Sequence, residues 1–110
     1  TKLKRSLLTL KSYLSPFFIA IFPLVNKNNL PELAHNIYED LKLDFNVFYD
    51  KSGSIGRRYR RQDEIGTPFC ITVDFETLES ETVTLRNRDS MEQIRIPIKD
   101  IKVKLQDIKL

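Results

Sequence analysis

D-K-S-G-S-I-G-R-R-Y-R-R-Q-D-E-I-G-T-P-F-C-I-T-V-D-F, residues Asp50 to Phe75, is the stretch that decides the fold. Asp50 to Gly53 has turn chemistry, and four arginines (Arg57, Arg58, Arg60 and Arg61) then fill five positions of a helical segment. Gly66 and Pro68 stop that helix, because glycine accepts the left-handed C-terminal conformation and proline cannot continue the ladder. Phe69, Ile71, Val73 and Phe75 next alternate with Cys70, Thr72 and Asp74, the period of a strand. Turn, basic helix and apolar strand follow one another without a spare residue.

Working toward the N-terminus, Phe18 to Leu24 reads as a buried strand. Asn28 or Asn29 can cap the following helix, and Pro31 is tolerated in its first turn. Leu30, Leu33, Ala34, Ile37, Tyr38 and Leu41 give that helix one apolar stripe. Val47 to Tyr49 forms a second short strand. Two strand–helix units thus precede the strand at Phe69, and right-handed crossovers make the first three strands parallel. Further upstream, Leu3, Leu7, Leu10 and Leu14 recur at helical spacing until Ser15-Pro16, which predicts a separate linker helix over 1–15 before a domain over 16–110.

Toward the C-terminus, Val83 and Leu85 point one way while Thr84, Arg86 and Arg88 point the other. Asn87 to Ser90 carries turn residues. Ile94, Ile96 and Ile98 alternate with Gln93, Arg95 and Pro97, and the proline suits an edge strand. Ile101, Leu105 and Ile108 fit a final helix, although Ile101, Val103 and Leu105 would also fit a strand. The expected fold is a three-layer α/β/α domain on a five-stranded mixed sheet.

The 110 residues support one core, and 41% hydrophobic with 30% charged residues are the proportions of a globular chain. No apolar run approaches the roughly 18 residues needed to cross a bilayer. The net charge of +3 is unevenly spread: Lys2, Lys4, Arg5 and Lys11 precede the first acid at Glu32, whereas Glu76, Glu79, Glu81, Asp89 and Glu92 make the later part acidic. Cys70 excludes an internal disulfide, fits a reducing compartment and reads as a buried structural thiol. His35 is assigned to a helix surface, since no second imidazole exists for a zinc site. S-G-S-I-G at Ser52 to Gly56 has the wrong spacing for a nucleotide-binding glycine loop. Catalysis and metal binding are therefore not expected of these residues.

Together with F-P-L-V (Phe22 to Val25), L-P-E-L-A (Leu30 to Ala34), V-F-Y-D (Val47 to Asp50), D-F-E-T-L-E (Asp74 to Glu79) and V-T-L-R-N-R-D-S-M-E-Q-I-R-I-P-I (Val83 to Ile98), the opening stretch resembles the C-terminal anticodon-binding domain of the dimeric type of glycyl-tRNA synthetase. The resemblance covers roughly Ser15 to Ile98. Lys51 and Asn87 depart from it, standing where that family often has acids. It implies strand order 2-1-3-4-5 with strand 4 antiparallel, which periodicity does not give. It also implies glycine tRNA as partner, and no cofactor in these residues. A separate upstream catalytic domain, using ATP and magnesium in a homodimeric, cytoplasmic or organellar parent, is implied as well. A second reading is a non-catalytic relative like the accessory subunit of mitochondrial DNA polymerase, which binds DNA and a protein partner. The intact R-R-Y-R-R-Q-D-E-I-G-T-P-F run argues against it.

Glycine anticodons end in two cytosines, whose Watson–Crick edge offers one amino donor and two acceptors. A carboxylate and an arginine together match that edge. Glu76, Glu79, Arg86 and Arg88 are accordingly expected to read bases, with Glu76 and Arg86 foremost. Ser52, Ser54, Arg57, Arg58, Arg60, Arg61 and Arg95 are expected to hold phosphates, and Asn26 and Lys27 to make weaker RNA contacts. A helix cannot aim all four arginines of the run at one ligand, so two should touch RNA while others pair with Asp50, Asp63 or Glu64. Ser54 serves equally as a plain helix cap, and Tyr59 equally as a base-stacking ring or as core.

Overall fold

The computed structural model describes residues 18–51 and 53–109, so the linker helix expected over 1–15 and the expected phosphate contact at Ser52 lie outside the described residues. The chain runs β1 (Ile19–Pro23), α1 (Leu30–Leu41), β2 (Val47–Tyr49), α2 (Ile55–Ile65), β3 (Phe69–Val73), α3 (Phe75–Ser80), β4 (Thr82–Asn87) and β5 (Gln93–Pro97). A single 3-10 turn (Ile98–Asp100) then leads into α4 (Ile101–Lys109). The strands form one sheet in the order β2-β1-β3-β4-β5. β1 is parallel to both β2 and β3, while β4 is antiparallel to β3 and β5.

Period-2 alternation divides the sheet into two unequal cores. Ile19, Ile21, Phe69, Ile71, Val73, Val83 and Leu85 face α1 and α4, where Leu30, Ala34, Ile37, Leu41, Ile101 and Leu105 close the main core. Full burial of each large apolar side chain there contributes about 1.5–3 kcal/mol. Ala20, Phe22 and Cys70 face the other way and meet only Ile55 and Tyr59 of α2. That smaller core covers β1 and β3 and leaves the β4–β5 hairpin open on the same side.

Two local expectations change. The strand expected to run to Phe75 ends at Val73, because Asp74 caps a helix: its Oδ1 accepts the Thr77 N–H at 3.1 Å, and Thr77 Oγ1 accepts the Asp74 N–H at 3.0 Å. Asn29 occupies the position before α1, but with left-handed backbone and no side-chain capping bond. The C-terminal segment forms the expected helix, and the strand alternative falls away because Ile101 and Leu105 are buried while Val103 is exposed. At the other end of α2 the stop is as expected: Gly66 is left-handed (φ 92°) and donates to Gln62 O at 2.9 Å.

Candidate nucleic-acid interface

Rows of side chains run across the α2 side of the sheet, fixed by the strand register. One row is Ala20, Cys70, Arg86 and Gln93; the next is Phe22, Thr72, Thr84 and Arg95. α2 lies over the first two members of each row. Tyr59 packs edge-on against Phe22 at 5.2 Å between ring centroids, and its hydroxyl bonds Thr72 Oγ1. Burial pushes both the Tyr59 phenol and the Cys70 thiol up, the thiol to about 12. Tyr59 is therefore a core residue, and its sheet-facing surface is not offered to a base. The last two members of each row form the floor of an open polar trough beside α2.

Helical steps of 100° determine which residues of α2 face this trough. Tyr59 and Asp63 meet β4 through Arg86, whose guanidinium lies 4.8 Å from the Tyr59 ring centroid and 3.8 Å from Asp63 Oδ2. Gly56 and Arg60 share that flank by spacing. Beyond its own helix backbone and chain neighbours, Gly56 has no described atom within 4 Å of where a Cβ would stand, so its lack of a side chain leaves open space there.

The arginine run divides according to the same geometry. Arg58, only 2% exposed, turns inward and donates to Pro23 O and, at 3.1 Å, to Gly53 O. Burial lowers its pKa, the expected cost of taking a guanidinium out of water. Arg58 is thus a strut between the ends of β1 and the α2 entry turn, and is not displayed for phosphate. Arg61 is exposed and pairs with the buried carboxylate of Asp50 at 3.2 Å. Arg57 and Arg60 are exposed, with no side-chain partner among the described residues. Ser54 caps α2, its Oγ accepting the Arg57 N–H at 3.3 Å.

The remaining expected contacts occupy two ends of the sheet. At the end where β1 and β3 finish, Arg95 forks onto Asp74, reaches Thr82 Oγ1 at 3.0 Å and meets Glu76 Oε2 at 2.9 Å. Burial alone would raise the Asp74 carboxyl, but the hydrogen bonds from Arg95 and Thr77 outweigh it and hold the group below its usual range. The Asp74 contact correspondingly raises Arg95. Arg95 is therefore committed to internal carboxylates. Glu79 stands exposed on α3 nearby. Asn26 ties the loops after β1 and β2 together through Lys51 O at 3.0 Å, and Lys27 beside it is exposed.

At the opposite end, Arg86 joins Asp63 and Met91, and Arg88 joins Asp63 O at 3.4 Å and Asp89 at 3.2 Å. Thr82, which touches the Asp74–Arg95 group, and Arg86 are four residues apart on one strand, about 13 Å at the rise of a strand. Glu76 and Arg86 are consequently not brought together on one base. Gln93 was not singled out by the sequence reading. It stands directly opposite Arg86, and only the hairpin register reveals it.

The family profile described as an anticodon binding domain matches residues 19–108. The chain is 55% identical over 98 residues to the glycine–tRNA ligase of Borrelia hermsii, covering 89% of this chain and 22% of that protein. It is 52% identical over 102 residues to that of Rhodopirellula baltica, covering 93% of this chain and 19% of that one. It spans about a fifth of the length of these curated relatives. Among solved structures, the RNA binding domain of threonyl-tRNA synthetase from Cryptosporidium parvum Iowa II superposes with a TM-score of 0.79 at 20% identity, covering 96% of this chain and 26% of that chain. Prolyl-tRNA synthetase from Cryptosporidium parvum, complexed with halofuginone and AMPPNP, gives 0.78 at 22% identity, with 84% of this chain and 20% of that chain covered. At those identities the likeness is one of fold.

Proposed function

Because the chain belongs to the anticodon-binding domain family and aligns with part of glycine–tRNA ligases, we propose that it holds the anticodon loop of glycine tRNA in the trough between α2 and the β4–β5 hairpin. The observation that carries this reading is the division of charge along α2. Arg60 is displayed without a partner among the described residues on the α2 flank beside the polar floor, and Arg57 is likewise displayed on the outer face of the same helix. Guanidinium groups held on a helix neutralise phosphates and release counterions, which supplies affinity. Side chains on the floor meet unpaired bases, which supplies selectivity.

In this reading glycine activation with ATP and magnesium, and dimer formation, belong to the remainder of a longer cytoplasmic ligase. The domain contributes binding and discrimination. Among the described residues no helix is long and apolar enough to cross a membrane. Relatives at 50–59% identity are ligases, which leaves the polymerase-accessory reading without support.

The test is a titration of the chain with a glycine anticodon stem-loop and with the same stem-loop altered at its second or third anticodon base. A preference for the unaltered loop that persists at about 0.2 M salt is expected, because base contacts survive the screening that removes phosphate contacts. Equal binding of all loops at every salt concentration would refute the proposal.

A further inference from the structure

We propose that Gln93 and Arg86 form one base-reading pair, with Gln93 accepting the amino group of an anticodon cytosine while Arg86 donates to its ring acceptors. This rests on the anticodon-binding reading above and assigns its specificity to a residue which that reading leaves unused.

The register supplies the first ground. Asn87 N–H donates to Glu92 O at 2.8 Å, so Asn87 and Glu92 are a hydrogen-bonded pair of the hairpin. Alternation then makes Arg86 and Gln93 a narrow pair, with Cα atoms about 4.5 Å apart and side chains on the same face. Thr82 and Pro97 are also a narrow pair, so the proline's missing N–H removes no bond from this ladder.

The state of the two side chains supplies the second. Gln93 is exposed, and its amide makes no hydrogen bond among the described residues. Arg86 is held on three sides by the Tyr59 ring, Asp63 and Met91 Sδ, the last at 3.6 Å from Nη2. Its Nε and Nη1 have no partner among the described residues. A guanidinium fixed in this way keeps its remaining donors at a set position, whereas the neighbouring amide can turn to meet a ligand.

The chemistry of the edge supplies the third. Cytosine presents an amino donor beside two acceptors. Gln93 Oε1 can take the amino hydrogen while Arg86 donates to the ring nitrogen and the carbonyl. Uracil carries a hydrogen on that ring nitrogen, which would meet the Arg86 donors head-on. The amide alone could flip to suit uracil, so discrimination against it comes from the arginine and attraction to the amino group from the glutamine. Glu76 cannot play the second part for Arg86, being bound to Arg95 at the far end of β4.

Glycine anticodon stem-loops bearing cytosine or uracil at the second or third anticodon base are titrated against the chain and its Gln93→Leu and Gln93→Glu variants, with urea melts of each. The unaltered chain should prefer cytosine at one of these positions. Gln93→Leu should lose about tenfold of that preference without losing stability, the scale of one hydrogen bond left unmade. Gln93→Glu should keep or sharpen it, because a carboxylate accepts from the amino group and repels the uracil carbonyl. A preference left intact in Gln93→Leu overturns this inference while leaving the anticodon-binding reading standing. An equal loss for every stem-loop sequence, or loss of preference in Gln93→Glu, also overturns it. Indifference in the unaltered chain refutes the anticodon-binding reading itself.

Discussion

Replacing Arg58 by alanine should unfold the protein more readily, whereas replacing Arg60 should not, although the two are neighbours in one basic run. Arg58 donates to two backbone carbonyls, Pro23 O and Gly53 O, from a site that is 2% exposed. Hydrogen bonds from a charged group are worth about 1.5–3 kcal/mol each, and truncation leaves both carbonyls without their donor. Two such bonds give about 3–6 kcal/mol. Relief of the burial that depresses the Arg58 pKa offsets part of this, which puts the expected loss near 3 kcal/mol. With a urea dependence of about 1.5 kcal/mol per molar, the unfolding midpoint should fall by about 2 M. Arg58→Lys should recover little, since an ammonium cannot fork to two carbonyls as a guanidinium does.

Arg60 is exposed and unpartnered, so Arg60→Ala should stay within about 0.5 kcal/mol of the parent. Its effect should appear in RNA binding, as a flatter dependence of affinity on salt by about 0.7 in log–log slope for each phosphate contact removed. Urea melts followed by circular dichroism, with stem-loop titrations at several salt concentrations, separate the two roles. An Arg58→Ala protein as stable as the parent, with the same salt-dependent loss as Arg60→Ala, would refute the division of the run into strut and display.

Two further outcomes follow from the hairpin and from the minor core. Asp74→Asn keeps a capping side chain but loses the fork from Arg95, and should cost about 1 kcal/mol at neutral pH. Because the folded Asp74 carboxyl lies below its ordinary value of 3.8, its contribution is full above that value and fades as pH falls through the lower folded one. Urea midpoints of parent and variant should accordingly converge only below about pH 4; a gap that closed between pH 6 and 8 would contradict the assignment. Cys70, with its thiol pushed up to about 12 by burial, should resist alkylation in the native protein and react once urea unfolds it.

Much of the fold was legible because its signals are local. The stripe of α1, the alternation of β3 and the Gly66 stop each lie within a dozen residues, and each element formed there, β3 two residues shorter than its alternation. Strand order was a different matter: it came with the family resemblance, since nothing in a strand's own period says which neighbour it takes. α3 went unread although its signal was present. Asp74 and Thr77 stand at capping-box spacing, but Phe75 also continues the alternation of β3, and the strand reading took it. The helix formed because the Asp74–Thr77 exchange satisfies backbone donors that a longer strand would have had to pair elsewhere.

The site was less legible, for a geometric reason. Four arginines in five helical positions cannot share a face, since successive side chains stand 100° apart around the axis. Arg57 and Arg60 fall 60° apart and outward, Arg61 leans toward Asp50 and Arg58 toward the sheet. Counting positive charges therefore overstates the cationic surface that is free to meet a ligand, here by the one arginine that is buried and the one that is paired. The same reasoning applies to the expected reading of a base by Glu76 and Arg86. They share a chemistry suited to cytosine, but the length of β4 separates them, and each is held by a nearer partner: Arg95 for Glu76, Asp63 and Tyr59 for Arg86. A pair of groups recognises one base only if both can reach it together, and on this hairpin the residue directly opposite Arg86 is Gln93.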